Sequence, residues 1–177
     1  MMWIWILLAL IALLVLAFAW GIRSLRRSSG QAAREIGKVV LADVERLSEE
    51  CQHVVKASFG EVLSLDEFEG SAVLLSRRVD DGSFKKAFAK DEFWWYYVLP
   101  VGAFVGELLR VHTGGQWQPS PEGGLELRIP LKEGESITYP FDKILKQDTM
   151  GGKGDLYTYL KAALQLDAIV VQNNVAA

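Results

Sequence analysis

The residues best suited to chemistry in this chain form a short run of glycines and charges. Gly102 and Gly106 are four residues apart, Glu107 follows directly, and Arg110 lies three residues further on. On a helix, this spacing puts both glycines on one face and lets the carboxylate meet the guanidinium. A lone glutamate in a cleft could act as an acid, a base or a ligand, but no second catalytic group lies at a supporting spacing. The pattern therefore favours an ion pair that fastens a helix to a sheet, next to glycines that another element approaches closely.

Aromatic residues lie on both sides of this run. Phe93, Trp94 and Trp95 open an uncharged apolar stretch, residues 93–106, and Trp117 follows it in a Gly-Gly-Gln-Trp turn. The stretch is too short to span a bilayer, so it is typical of a buried core helix, and an interfacial segment remains the alternative. Aromatic side chains give a large contact area at low entropic cost. The candidate binding residues are therefore Phe93, Trp94, Trp95, Glu107, Arg110 and Trp117.

Other reactive residues are too few or too scattered to indicate a site. Cys51 is the only cysteine, and it falls on an apolar helical stripe, which predicts a buried and inert thiol. His53 and His112 are far apart and lack a metal-binding spacing. The glycine-rich segment 149–155 lacks the Gly-Lys-Ser/Thr ending of a phosphate loop. We predict no metal and no cofactor.

The chain begins with residues 1–22, which carry no charge. A helix of roughly 20 apolar residues crosses the hydrocarbon core of a bilayer. Trp3, Trp5 and Trp20 lie near the ends of the run, where indole rings favour the lipid–water interface. The run predicts a single transmembrane anchor. The alternative is a cleaved secretion signal, since Ala17-Phe18-Ala19 resembles a cleavage site, although no basic residue precedes the run.

Basic residues follow the apolar run immediately. Arg23, Arg26 and Arg27 flank its C-terminal end, and basic flanks stay on the cytoplasmic side. We therefore expect a single-pass protein of the inner (cytoplasmic) membrane, with its soluble domain in the cytoplasm and the lipid bilayer as a partner. These arginines either contact anionic headgroups or only set the topology. The net charge of the chain is −3 despite this basic segment, which argues against nucleic-acid binding.

The next segment has the spacing of an amphipathic helix. Apolar or small residues recur at three- and four-residue steps, at Ile36, Val40, Val44, Leu47, Cys51, Val54 and Ser58. This stripe either packs onto its own domain or pairs with another copy as a coiled coil. The predicted division of the chain is a transmembrane anchor 1–22, a basic linker 23–30, an amphipathic helix 31–62, an α+β domain 63–166 and a tail 167–177.

The remaining chain predicts helices packed on a short antiparallel sheet, which is an α+β fold. A helix begins after Ser64, with Glu67 placed for a capping box, and runs to about Val79. Three strands follow at 116–118, 125–129 and 136–139, where Leu125, Leu127 and Ile129 alternate with charged residues. A helix begins at Pro140, a loop covers 149–154, and a last helix covers about 156–166.

Several of these pieces, in this order, resemble a small uncharacterised family of bacterial α+β domains. The matching motifs are GAFVGELLR at 102–110, GGQW at 114–117, YPFDKILK at 139–146 and DLYTYLKAAL at 155–164. The resemblance covers roughly residues 65–166 and implies a compact α+β domain. It implies no activity and assigns no functional residues.

The sequence thus predicts a membrane-anchored cytoplasmic module that binds or scaffolds a protein partner or a second copy. One alternative is an enzyme centred on Glu107. The other is a structural membrane protein that self-associates through its anchor and the helix 31–62.

Overall fold

The computed structural model describes residues 37, 40–88, 94–121, 124–150 and 156–165. The predicted anchor, linker and tail lie outside these residues. Among the described residues no helix is both long and apolar enough to cross a membrane. The elements in chain order are α1 (40–59), α2 (Phe68–Asp80), α3 (Ser83–Phe88), a π-helical turn (Trp94–Val98), α4 (Leu99–Thr113), β1 (Gln116–Pro119), β2 (Leu125–Pro130), β3 (Glu135–Thr138), α5 (Pro140–Met150) and α6 (156–165).

Helix α4 is the centre of the domain. Its residues from Leu99 to Leu109 are all buried, which confirms the prediction of a core helix. Pro100 lies at its first turn, where a residue without an N–H costs little. Gly114 ends the helix with a φ of 69°, and its N–H donates to the Arg110 carbonyl at 2.9 Å. Glycine adopts this left-handed conformation without steric cost, which explains why the helix ends here.

The three strands form an antiparallel meander in the order β1-β2-β3. Trp117 pairs with Leu127, and Leu127 pairs with Thr138. Leu125, Leu127 and Ile129 are buried on the face towards α4 and α5, as their alternation predicts. The mixed fold, with helices against a small antiparallel sheet, is therefore the predicted α+β class.

Helix α1 packs onto its own domain. Val40, Val44, Leu47 and Cys51 are buried in the same hydrophobic core as α4 and the sheet. The stripe then continues to Val55, which is fully buried, while the predicted Ser58 is exposed. The prediction was wrong there because a repeat of 3.5 residues drifts from the 3.6-residue period of a straight helix. Because the domain buries this stripe, it is not a free seam for a coiled coil.

The start of α2 differs from the predicted capping box. Glu67 occupies the N-cap position, and no side chain caps the helix. Ser64 instead pairs with Ser71, whose hydroxyl accepts from the Ser64 N–H at 2.9 Å and donates to its carbonyl at 2.7 Å. The predicted capping box is therefore absent, and Ser71 of α2 instead binds the backbone of the segment before the helix.

The C-terminal helices follow the sequence pattern with shifted bounds. Helix α5 continues to Met150, so the predicted loop begins later than Thr149. The helical spacing predicts that Leu156, Tyr159, Leu160, Ala163 and Leu164 face inward. In α6, Leu156, Leu160 and Ala163 are buried, and Tyr159 and Leu164 are half-buried against the core. The Thr138 hydroxyl forms a hydrogen bond with the Tyr159 hydroxyl, which places α6 against the inner face of β3.

Candidate functional site

The two glycines of α4 are the points where other elements approach most closely. A Cβ atom at Gly106 would lie 2.1 Å from Cζ2 of Trp117 and 3.1 Å from Cγ of Pro140. A Cβ atom at Gly102 would lie 2.6 Å from Cδ1 of Phe141 and 3.0 Å from its Cα. Contacts this short do not occur between real side chains, so only glycine fits at these positions. The expectation of a close approach at both glycines is confirmed.

Glu107 lies next to this contact and is only 3 % exposed. Arg110 donates from Nε at 2.9 and 3.0 Å to the two carboxylate oxygens and from Nη2 at 2.8 Å to Oε2. The indole Nε1 of Trp117 donates to Oε1 at 2.7 Å. The hydrogen bond with Glu107 is the main cause that raises the pKa of the Arg110 guanidinium. The predicted ion pair is therefore confirmed, and the indole joins it to β1.

This arrangement connects a helix to a sheet and leaves little room for chemistry. Both carboxylate oxygens of Glu107 accept hydrogen bonds from cationic or indole donors. A buried charge requires such partners, because an unpaired one would cost several kcal/mol. A substrate would have to displace Arg110 or Trp117 to reach the carboxylate. The geometry thus explains Glu107, Arg110 and Trp117 as one unit that holds α4 to β1.

The remaining predicted contact residues lie elsewhere. Phe93 and the basic residues Arg23, Arg26 and Arg27 lie outside the described residues. Trp94 and Trp95 belong to the π-helical turn. Their role in binding stays a prediction.

A second buried carboxylate, Glu126, was not predicted. Its side chain is 1 % exposed on the outer face of β2, and Arg128 donates to Oε1 from Nε at 2.8 Å. Arg128 also contacts Glu135 of β3 at 3.0 Å, and these bonds, led by the one to Glu126, raise the pKa of its guanidinium. Residues two apart on a strand share a face, so the Glu-x-Arg spacing could have indicated this pair.

An open groove runs beside the C-terminal half of α1, where the following segment turns back. Its volume is about 450 Å³, and Leu63 on its wall is buried while Val62 is 70 % exposed. The groove is lined by Glu49, Gln52, His53, Lys56, Val62 and Leu63. No group of His, Cys, Asp or Glu within the described ranges is arranged to hold a metal ion. Sequence reasoning missed the groove because its lining comes from both sides of a turn.

Ion pairs on α2 hold the segment that carries Val62. Arg78 donates from Nε to Glu61 at 2.9 Å, and its guanidinium lies 4.4 Å above the ring of Phe59. Phe59 in turn stacks on Phe84 of α3 at 5.8 Å. The bond from Arg78 is the main cause that lowers the pKa of the Glu61 carboxyl. The segment that lines one side of the groove is therefore bound to α2 and α3.

The fold and these contacts define a small α+β domain with an open groove and two buried glutamates, each paired with a partly exposed arginine. Compared with protein-family models, with curated proteins and with solved structures, the chain has no significant match.

Proposed function

We propose that this protein is a membrane-anchored module that binds a protein partner on the cytoplasmic side of the inner membrane. The observation that carries the proposal is the uncharged run of residues 1–22 followed directly by Arg23, Arg26 and Arg27. Such a run has the length of a bilayer span, and its basic flank favours the cytoplasm for the domain that follows.

The contacts of the buried acids support binding rather than catalysis. Glu107 and Glu126, the two buried carboxylates within the described residues, each pair with an arginine. A general acid or base must reach a substrate proton, and neither carboxylate is open to one. This geometry gives the alternative of an enzyme centred on Glu107 no support.

The groove beside α1 supplies the contact surface in this proposal. Among the residues that line the groove, Val62 offers an exposed apolar side chain, and Glu49 and Lys56 carry opposite charges. Protein interfaces commonly combine apolar and polar side chains in this way. A partner segment with an apolar side chain between polar residues would suit it.

The tether is tested by fractionating cells that express the full chain. We expect unprocessed protein in the membrane pellet after alkaline carbonate washing. We also expect fluorescence from a C-terminal reporter that folds only in the cytoplasm. Changing Arg23, Arg26 and Arg27 together to Ala is expected to reduce that fluorescence, because the positive flank sets orientation. The matched control changes Lys85 and Lys86 of α3 to Ala. Unprocessed protein in the supernatant, or a shortened chain, would refute the anchor.

The contact surface is tested with a photo-crosslinking amino acid in the full chain in cells. At Val62 we expect one discrete adduct, which should weaken at least fivefold when Lys56→Glu reverses the charge of a residue that lines the groove. The control site is Gln116, an exposed position of β1, where no adduct is expected. Equal adducts at both sites, or none at Val62, would count against the groove as the binding face.

A further inference from the structure

Strand β3 forms one edge of the sheet, and the turn before it shows which of its residues form hydrogen bonds with β2. The Leu131 N–H donates to the Gly134 carbonyl at 3.1 Å, which makes these two residues a hydrogen-bonded pair. In an antiparallel ladder such pairs alternate along the strands. With the observed register, Ser136 and Thr138 bond to β2, and the backbone groups of Glu135 and Ile137 point away from it. Pro130, which has no N–H to donate, lies opposite Glu135 at a non-bonded position, which agrees with this alternation.

Among the described residues, none pairs with the outer edge of β3. In the part of the chain that the structure describes, no further backbone hydrogen bond reaches Glu135 or Ile137 from that side. Ile137 is 45 % exposed and Tyr139 is 37 % exposed, although both are large apolar or aromatic side chains. Helix α6 contacts β3 through Thr138, whose side chain points to the inner face and not to the edge. An open edge with exposed β-forming residues is a template for another strand.

The opposite edge of the sheet differs in this respect. In β1 the outward positions are Trp117 and Pro119, because the Ser120 N–H to Gly124 carbonyl bond sets the same alternation there. Pro119 has no N–H to offer, and the Trp117 indole is fixed on Glu107. Strand β3 has no proline, no lysine and no bulge between Glu135 and Tyr139. Within the described ranges, protective features of this kind are found at the β1 edge only.

We propose that β3 pairs antiparallel with β3 of a second copy, around a two-fold axis at Ile137, to form one continuous six-stranded sheet. Ile137 would lie opposite Ile137 of the partner subunit and exchange both backbone hydrogen bonds with it. Glu135 would lie opposite Tyr139 of the partner subunit. Such an interface is isologous and closes at two copies.

This register fits the charges and the side chains at the edge. Glu135 meets no like charge, and its carboxylate is already paired with Arg128 at 3.0 Å. The two isoleucines would cover each other on the outer face. An axis at Ser136 would instead put Glu135 against Ile137, a charge against an apolar side chain. The register at Ile137 is therefore the better match.

The proposal rests on the proposed membrane tether. Four-residue strands bury less area than a stable interface between soluble proteins needs. Copies held in one membrane plane meet at a much higher effective concentration, so a small interface can suffice.

The test is disulfide cross-linking of the full chain in membranes. An Ile137→Cys variant should form a dimer on mild oxidation, because opposed residues in a hydrogen-bonded antiparallel pair have Cα atoms about 5.5 Å apart. The native Cys51 should remain silent, since its thiol is fully buried and burial raises its pKa. Gln116→Cys, an exposed position on the opposite edge strand, is the matched control. We expect at least tenfold more dimer from Ile137→Cys than from Gln116→Cys.

Other outcomes separate the pairing from the tether. Membrane-bound protein that stays monomeric in the Ile137→Cys variant would overturn the pairing and leave the tether intact. An adduct with a different protein, or a dimer that forms faster through Ser136→Cys, would overturn the second copy or its register. Protein in the supernatant without the disulfide would overturn the tether and, with it, the pairing that needs it, whereas a disulfide formed there would show that β3 pairs without a tether. In a separate energy-transfer measurement between tagged copies, Ile137→Lys should abolish the signal without lowering the melting temperature.

Discussion

Changing Gly106 to Ala should destabilise the domain by about 2 kcal/mol, even though alanine favours a helix over glycine by about 1 kcal/mol. The added methyl group would lie 2.1 Å from Trp117 Cζ2 and 2.2 Å from Cη2, inside any permitted contact. The indole cannot move away freely, because its Nε1 is bonded to Glu107 at 2.7 Å. Thermal unfolding should show a melting temperature lower by about 6 °C for a chain of this size.

Gly70 provides the matched control, since it is also a helical glycine and lies in α2. A Cβ atom there would meet only the Glu67 carboxylate oxygen, at an ordinary 3.6 Å. Gly70→Ala should therefore leave the stability unchanged or raise it by up to about 1 kcal/mol. A shift of both variants in the same direction would show that close packing at Gly106 does not decide the outcome.

Changing Glu107 to Gln should have a comparably large effect on stability. The neutral amide keeps the shape of the side chain but removes the negative charge to which Arg110 and Trp117 donate hydrogen bonds. A hydrogen bond to a charged group contributes about 1.5 to 3 kcal/mol to stability. Because the Arg110 side chain is 39 % exposed, water can solvate its charge in the variant. The expected loss of folding stability is therefore about 2 kcal/mol. Chemical denaturation followed by tryptophan fluorescence measures the change.

Glu135→Gln is the control for this second variant. Glu135 pairs with Arg128 at 3.0 Å in the same kind of contact, but its side chain is 51 % exposed. An exposed ion pair contributes at most about 1 kcal/mol, so this change should be small. If Glu107→Gln instead left the stability intact and removed a cellular phenotype, the pair would be functional and the enzyme hypothesis would return.

The elements with a strong local signal could be predicted from the sequence. The buried core helix, its stop at Gly114 and the alternation of Leu125, Leu127 and Ile129 follow from hydrophobic period and glycine geometry. The ion pair of Glu107 and Arg110 was predictable as well, because residues three apart on a helix meet. These features depend on near neighbours in the chain.

Three features could not be predicted in the same way: the contact of Ser71 with the segment before α2, the inward face at the end of α1 and the burial of Glu126. Ser71 bonds to Ser64 only because a loop folds back over the helix. The inward residue is Val55 rather than Ser58 because α1 lies on its own core as a straight helix and does not keep the 3.5-residue repeat of a coiled coil. Alternation put Glu126 on the outer face of the sheet, but the cover it receives there comes from the assembled fold.

By itself the sequence determined the types of elements, their order and the apolar N-terminal run, because propensity and periodicity act over a few residues. The tertiary structure alone decided that Trp117 fills the space above Gly106 and donates to Glu107. It also decided that a groove forms beside α1 and that no described segment pairs with the outer edge of β3. These features arise between segments distant in the chain, where contact depends on how whole elements pack and no local pattern records the partner.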